Sequence, residues 1–212
     1  MKPDLLGLII FMRHGQAKNN TDKILAGRTP GVPLTEKGLE QASSTAEFLA
    51  QMNVSSIYSS PIERAKHTAE IVARSASLDV IVDDRLIELD MGKFTGMQYD
   101  EIFANHGNVF IKFYSGELEI AHNGIETFPE VKKRVLGIVD HVVKNHPNEN
   151  VVLVTHMDPI KAMLSTVMTL SPENLYKLII ANASLNIFKE FDGQFMISGL
   201  NVMHPTRFNH DW

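Results

Sequence analysis

Short apolar runs alternate along this chain with stretches in which apolar side chains recur every third or fourth residue. The first run, residues 7–12 (Gly-Leu-Ile-Ile-Phe-Met), has the length and composition of a buried strand. Residues 36–52 place Leu39, Ala42, Ala46 and Leu49 on one helical face, and residues 54–59 form a second strand. A helix beginning at Pro61 turns Ile62, Ala65, Ala69 and Val72 inward, and residues 80–82 make a short third strand. Over residues 128–145 the helical period aligns Val131, Val135, Ile138 and Val142. Residues 151–154 are β-formers, residues 158 to about 167 are helical, and 183–189 and 195–201 read as closing strands. Strands alternating with helices predict an α/β fold: a three-layer sandwich with a mostly parallel sheet flanked by helices.

One stretch departs from that rhythm. Residues 90–123 hold Gly92, Gly96, Gly107 and Gly116 between aromatic and helical fragments. We read it as an inserted cap, although an ordinary surface excursion accounts for the pattern equally well. With no internal repeat, low-complexity stretch or Pro/Ser-rich linker, the 212 residues are expected to form a single domain, 1–212, carrying this insertion. A hydrophobic fraction of 44% and a charged fraction of 21% are ordinary for a globular protein. The net charge of −5 argues against a nucleic-acid or anionic-membrane surface, so any cationic chemistry must be local. The absence of cysteine excludes disulfides, thiol catalysis and cysteine-ligated metals. The apolar run of residues 5–12 is too short to span a bilayer, and no small-residue cleavage site follows it. The expectation is a cytoplasmic protein with no membrane partner; homodimerisation is left open.

The candidate chemistry gathers at three strand ends. The first strand runs into Arg13-His14-Gly15. The second ends at Ser59, and Ser60-Pro61-Ile62-Glu63 reads as a capping box that places Arg64 in the first turn of the next helix. The run 151–154 leads into Thr155-His156, after which Asp158 at a cap position and Pro159 just inside open another helix. In a parallel sheet these ends share one edge, the edge at which open α/β sheets bind ligands. Two arginines, two histidines and two helix N-termini converging there suit an anion such as phosphate. Taken singly, each residue is better read as a solvated charge or a satisfied structural group. The same arrangement at three equivalent strand ends favours function.

These residues resemble the histidine phosphatase superfamily, the phosphoglycerate mutase-like fold. Arg13-His14-Gly15 is similar to its signature, and Asn20 falls where the family places a phosphate-binding asparagine. Gly27, the Pro33-Leu34-Thr35-Glu36-Lys37-Gly38 stretch and Gln41-Ala42 resemble the segment that follows. Ser59-Ser60-Pro61 with Arg64-Ala65 and Thr68-Ala69 resembles the second-arginine motif, and Leu86-Ile87-Glu88 with Gly92 and Gly96 the block carrying the acid glutamate. Glu126-Thr127 with Arg134 is similar to a Gly-Glu-Ser block and its downstream arginine, with Ile125 in place of the glycine. Val154-Thr155-His156 resembles the second-histidine motif, with Met157 in place of the common glycine.

The resemblance implies catalytic roles for His14, Glu88, His156, Arg13 and Arg64, and substrate contacts from Arg13, Asn20, Gly27, Arg64 and Met157, with no metal. Neutral His14 attacks phosphorus to give a phosphohistidine, the arginines and His156 stabilise the equatorial oxygens, and Glu88 protonates the leaving oxygen. Asp90 is a weaker substitute for Glu88. The expected activity is metal-independent hydrolysis of a small phosphorylated metabolite, without a cofactor. The alternative is a phosphoglycerate mutase using 2,3-bisphosphoglycerate as phosphoryl donor. Against it, Asn19 stands where such mutases carry tryptophan, Glu88-Leu89-Asp90-Met91 replaces their Glu-Arg-His-Tyr, and no clear basic set for a substrate carboxylate is legible. A third reading, a non-catalytic phosphate-binding protein, is disfavoured because both histidines, both arginines and Glu88 are present. His141 and His146, five residues apart on one helix, do not align as metal ligands. Neither a Gly-Lys-Ser/Thr phosphate loop nor a Gly-x-Ser-x-Gly elbow occurs.

Overall fold

A computed structural model of the chain describes residues 7–117 and 124–203. The opening residues 5–6 of the first apolar run and residues 118–123 of the expected cap lie outside the described residues. Six strands form one sheet: β1 (Leu8–Arg13), β2 (Val54–Ser59), β3 (Val80–Val82), β4 (Asn150–Thr155), β5 (Leu185–Phe191) and β6 (Gln194–Val202). Their order is β3-β2-β4-β1-β5-β6. The first four in that order are parallel, as expected, while β5 and β6 add an antiparallel hairpin beyond β1. Asp192 and Gly193, both at positive φ (52° and 75°), join the two hairpin strands. An Asp-Gly pair suits a tight turn of this kind, because Gly adopts the left-handed region without a Cβ penalty.

The central strands are apolar on both faces because helices cover both. Ile10, Met12, Ile57, Val152 and Val154 pack on one side against α2 (Glu36–Leu49) and α3 (Glu63–Ala76), through Ala42, Ala46, Leu49, Ala65, Ala69 and Val72. Ile9, Phe11, Val151 and Leu153 face the other side, against Val131, Val135, Ile138 and Val142 of α6 (Phe128–Asn145) and Ile160, Met163 and Leu164 of α7 (Met157–Val167). This period-2 division of continuous apolar runs gives the three-layer sandwich. A short α1 (Lys18–Thr21) follows β1, and α8 (Pro172–Lys177) follows α7.

Several boundaries differ from the sequence expectation. α2 ends at Leu49, not residue 52, and Leu39 is only half-buried because it lies at the margin of the inward stripe. α3 starts at Glu63 with Ile62 at the cap position, so there is no Ser60–Glu63 capping box. The Ser60 hydroxyl instead accepts from the Ile62 amide (3.2 Å). Likewise His156, not Asp158, occupies the cap position of α7, and Asp158 and Pro159 are its second and third residues.

In the stretch 90–123, α4 (Tyr99–His106) and α5 (Val109–Ser115) bury Ile102, Val109, Phe110, Phe113 and Tyr114 in the same core as α6. Phe113 and Tyr114 both stack edge-on against Phe128, the first residue of α6.

Candidate active site

The parallel registry brings the three strand ends level: Arg13 pairs with Thr155, and Ser59 with Val154. The His14 amide then donates to Thr155 O (3.0 Å) and the Ser60 amide to Val154 O (2.9 Å), which fixes the residues just beyond the sheet. Beyond His14 the chain runs tight against α2. A Cβ on Gly15 would lie 2.4 Å from Gly38 O, and one on Gly38 would lie 2.0 Å from Gln16 O. Only glycine fits at either position, which gives the Arg-His-Gly and Glu-Lys-Gly sequences a packing reason. The Gly15 amide donates to the Thr68 hydroxyl (3.1 Å), which itself donates to Arg64 O (2.8 Å). The loop after β1 and the first turns of α3 are thereby locked together.

His14 is 3% exposed. Its Nδ1 lies 2.7 Å from Gly15 O, an acceptor only, so Nδ1 carries the proton and Nε2 bears the lone pair. Arg64 Nε donates towards that Nε2 at 3.3 Å, and Arg64 Nη2 donates to Gly27 O at 2.8 Å. Burial, then the charges of Arg64 and Arg13, hold the His14 pKa well below its usual value. The ring is therefore neutral at physiological pH.

Arg64 is 2% exposed, and Arg13 is half-buried with Nη1 donating to Ile180 O. Neither enters any ion pair among the described residues. Arg13 Nε and Arg64 Nη1 are buried without a hydrogen-bond acceptor. Among the described residues neither guanidinium has a carboxylate in ion-pairing contact, Glu88 acting on both only at longer range, and an anion placed between them would supply the missing partner.

His156 is fully buried beside His14, their ring centroids 5.1 Å apart at 60°. Its Nε2 lies 2.8 Å from the Ser60 hydroxyl. The Ser60 oxygen keeps a second lone pair besides the one taken by the Ile62 amide, so it can donate to or accept from His156 Nε2, while Nδ1 is buried without a partner. His156 does not itself line the cavity described next.

A cavity of about 450 Å³ opens over these groups, lined by Arg13, His14, Asn20, Gly27, Arg64, Glu88 and Met157, among others. Of the residues singled out from sequence, these seven come together, with His156 behind them. Asn20 Oδ1 is occupied by the Ala17 amide (2.9 Å) and Asn182 Nδ2 (3.4 Å), leaving its amide donors for a ligand. Glu88 is half-buried at the cavity wall, and its pKa is pushed up to about 7, first by desolvation and then by the charge of Asp158. The Leu89 amide, donating to Oε1 at 2.9 Å, and the two arginines work against that rise. Asp90, the weaker substitute, does not line this cavity.

The cavity also contains residues that sequence reasoning missed. Tyr114 donates to Asp158 Oδ1 (2.6 Å), and the buried Lys161 Nζ donates to the Tyr114 hydroxyl (3.1 Å). Lys161 lies one turn beyond Met157 on α7 and so on the same face; that spacing was the available signal. Arg28, also missed, pairs with Glu126 at 2.8 Å. His141 and His146 come together at one hydroxyl, because His146 lies past the end of α6. Both approach the Tyr58 hydroxyl, at 3.5 Å and 2.9 Å. Among the described residues no group of three or more His, Asp or Glu side chains is arranged to hold a metal ion.

An α/β sandwich that presents a neutral imidazole and two guanidinium ions free of direct ion pairs beyond its strand ends defines an enzyme of the phosphoryl-transfer class. The chain matches the histidine phosphatase superfamily (branch 1) over residues 9–203 and belongs to that family. It is 35% identical over 195 residues to a 2,3-bisphosphoglycerate-dependent phosphoglycerate mutase of Thermoplasma acidophilum, covering 91% of this chain and 92% of that protein. It is 30% identical over 197 residues to phosphoserine phosphatase 1 of Hydrogenobacter thermophilus, covering 92% of each. A solved phosphoserine phosphatase from Entamoeba histolytica, in complex with 3-phosphoglyceric acid, superposes with a TM-score of 0.81. It shares 25% identity, over 94% of this chain and 98% of that one. Relatives of this chain therefore include both phosphatases and mutases. Among the described residues no helix is long and apolar enough to cross a membrane.

Proposed function

We propose that this protein is a phosphomonoester phosphatase acting on a small metabolite through a phosphohistidine at His14, without metal or cofactor. The observation that carries this reading is a neutral His14 whose Nε2 meets Arg64 Nε at 3.3 Å in a cavity that Arg13 also lines, with a buried N–H of each arginine left without an acceptor. A phosphoryl group bound there takes hydrogen bonds from Arg13 Nε and Arg64 Nη1, and from the Asn20 amide. His156, behind His14 and with its Nδ1 unpartnered, is the further donor on this reading. Its negative charge offsets the two arginines.

His14 Nε2 attacks phosphorus as the bond to the leaving oxygen breaks, and the Glu88 carboxyl transfers its proton to that oxygen to release an alcohol. The Gly15 carbonyl holds the Nδ1 proton of the phosphorylated ring. Water then attacks phosphorus, Glu88 takes its proton, the P–N bond breaks, and inorganic phosphate leaves with His14 neutral again. A carboxyl of pKa about 7 suits both halves of the cycle near neutrality.

The stretch 90–123 is read as a cap that sets substrate choice, because Met91, Tyr99, Phe103, Phe110 and Tyr114 line the cavity over the phosphate end. The mutase alternative is supported by one specific observation: Lys161 supplies a buried cation in the cavity that a substrate carboxylate could use. Its bond to Tyr114 beside Asp158 leaves that charge partly spent, which favours the phosphatase. The test is an assay with p-nitrophenyl phosphate and with 3-phosphoglycerate, the latter with and without 2,3-bisphosphoglycerate. Release of inorganic phosphate is expected; conversion to 2-phosphoglycerate identifies the mutase, and inertness towards all of them favours a non-catalytic phosphate-binding protein. Residence in the cytoplasm and action as a monomer or a homodimer belong to the same proposal and are read by fractionation and by light scattering.

A further inference from the structure

Glu88 lies in a segment with no ladder of its own. Residues 87–90 belong to neither helix nor strand, yet the proposed chemistry requires their carboxyl to meet one oxygen atom of the substrate. The backbone carbonyls of this segment are held from outside it. Arg134, on α6, donates through Nη1 to Ile87 O (2.5 Å) and Arg85 O (2.9 Å). Arg28, in the loop after α1, donates through Nε to Glu88 O itself (2.9 Å). The two arginines share one carboxylate: Glu126 takes Arg134 Nε at 2.8 Å and Nη2 at 3.0 Å, and Arg28 Nη2 at 2.8 Å. The Glu126 amide in turn donates to Asp90 O (3.1 Å), closing the frame on the far side of Glu88. None of Arg28, Glu126 and Arg134 lines the substrate cavity.

We infer that Arg28, Glu126 and Arg134 form a clamp of positioning residues that holds the carbonyls on either side of Glu88, and so aims its carboxyl at the leaving oxygen. Glu126 is the keystone. Bidentate pairing fixes the plane of the Arg134 guanidinium, and without the carboxylate the two arginines would repel each other across the gap. No described hydrogen bond of the clamp reaches Arg13, His14, Arg64 or Asn20, so it acts on proton delivery; because Arg28 follows the Gly27 whose carbonyl takes Arg64 Nη2 (2.8 Å), Glu126→Gln is the cleaner variant. The inference rests on the proposed role of Glu88, and the experiment separates failure of one from failure of the other.

The measurement is kcat/KM, which reports phosphoryl transfer to His14, for an alkyl phosphate and for p-nitrophenyl phosphate, whose phenolate leaves without a proton. It is made on the wild type, Glu88→Gln, Glu126→Gln and Arg28→Gln, with Arg28→Lys as the conservative partner. A misplaced acid is expected to lower kcat/KM for the alkyl ester by roughly 10- to 100-fold in Glu126→Gln and Arg28→Gln. The loss for p-nitrophenyl phosphate is expected to stay within about threefold, and Arg28→Lys, which keeps one charged donor, to recover part of the alkyl activity. A variant that merely loses folded protein loses both activities in the same proportion, and that result overturns the clamp. If Glu88→Gln shows the leaving-group-dependent loss and the clamp variants do not, the clamp is wrong and the acid assignment stands. If Glu88→Gln itself spares the alkyl ester, both are wrong.

Discussion

Glu88→Gln should make the enzyme slower and the fold stronger, and the second effect should depend on pH. In the folded protein the carboxyl titrates at about 7 because it is desolvated beside Asp158, whereas its ordinary value is 4.5. Below pH 4.5 it is protonated in both folded and unfolded chains and costs nothing. Between the two values the folded state keeps a proton that the unfolded chain releases, so stability falls as pH rises and the full loss is reached above about 7. At 1.36 kcal/mol for each pH unit, that rise corresponds to about 3 kcal/mol. Half-burial and solvent screening reduce it, and about 1–2 kcal/mol is the working figure. For a chain of this size that amounts to roughly 3–6 °C in Tm. Glutamine has the same shape, can keep the acceptor for the Leu89 amide, and has no charge to bury. The assay compares melts of wild type and variant at pH 4 and pH 8, since titrations remote from Glu88 cancel in the difference. The advantage of the variant should appear only at pH 8, while its turnover of an alkyl phosphate drops by about 10²- to 10⁴-fold. An advantage equal at the two pH values, or a wild type that is the more stable at pH 8, would falsify the desolvated-acid reasoning.

Three further outcomes follow from the same charges. Inorganic phosphate should raise the wild-type Tm, by an amount equivalent to about 2.7 kcal/mol at a hundredfold excess over its Kd. Arg64→Gln should abolish most of that gain, and a Tm response undiminished in the variant would move the anion site elsewhere. Activity should survive EDTA, because Arg13 and Arg64 supply the positive charge for the equatorial oxygens; loss on chelation, restored by added metal, would contradict this. Activity should be retained well below pH 6.5, since His14 stays neutral there, and should decline as pH rises through about 7 and Glu88 ionises. An acid limb at the ordinary histidine value would show His14 to be solvated rather than shielded by the arginines.

The sheet and the phosphate end of the site were legible because each rests on a local, one-dimensional signal. Continuous apolar runs marked β1, β2 and β4, and the residues just past them were necessarily neighbours once the strands were parallel. The direction of β5 and β6 could also have been read, from Asp192-Gly193 between two apolar runs. Helix starts were less legible. α3 begins at Glu63, after Ser60 has taken only the Ile62 amide, and α7 begins directly after His156, one residue before the expected cap Asp158. Tyr114 and Arg28 were illegible for a different reason. Their contacts span long separations, 44 residues from Tyr114 to Asp158 and 98 from Arg28 to Glu126, and no periodicity encodes these. The convergence of His141 and His146 was missed because spacing along a helix ceases to apply once the chain has left it.

The most direct measurement is a trapping experiment on the phosphoryl group itself. The protein is mixed with an isotopically labelled phosphomonoester, quenched in alkali, digested and sequenced by mass spectrometry. Label should be found on the imidazole of His14, stable to base and lost in acid, and should be absent from His14→Ala. Label on another residue, or turnover with no covalent label at any quench time, would contradict a nucleophilic His14 held between Arg13 and Arg64.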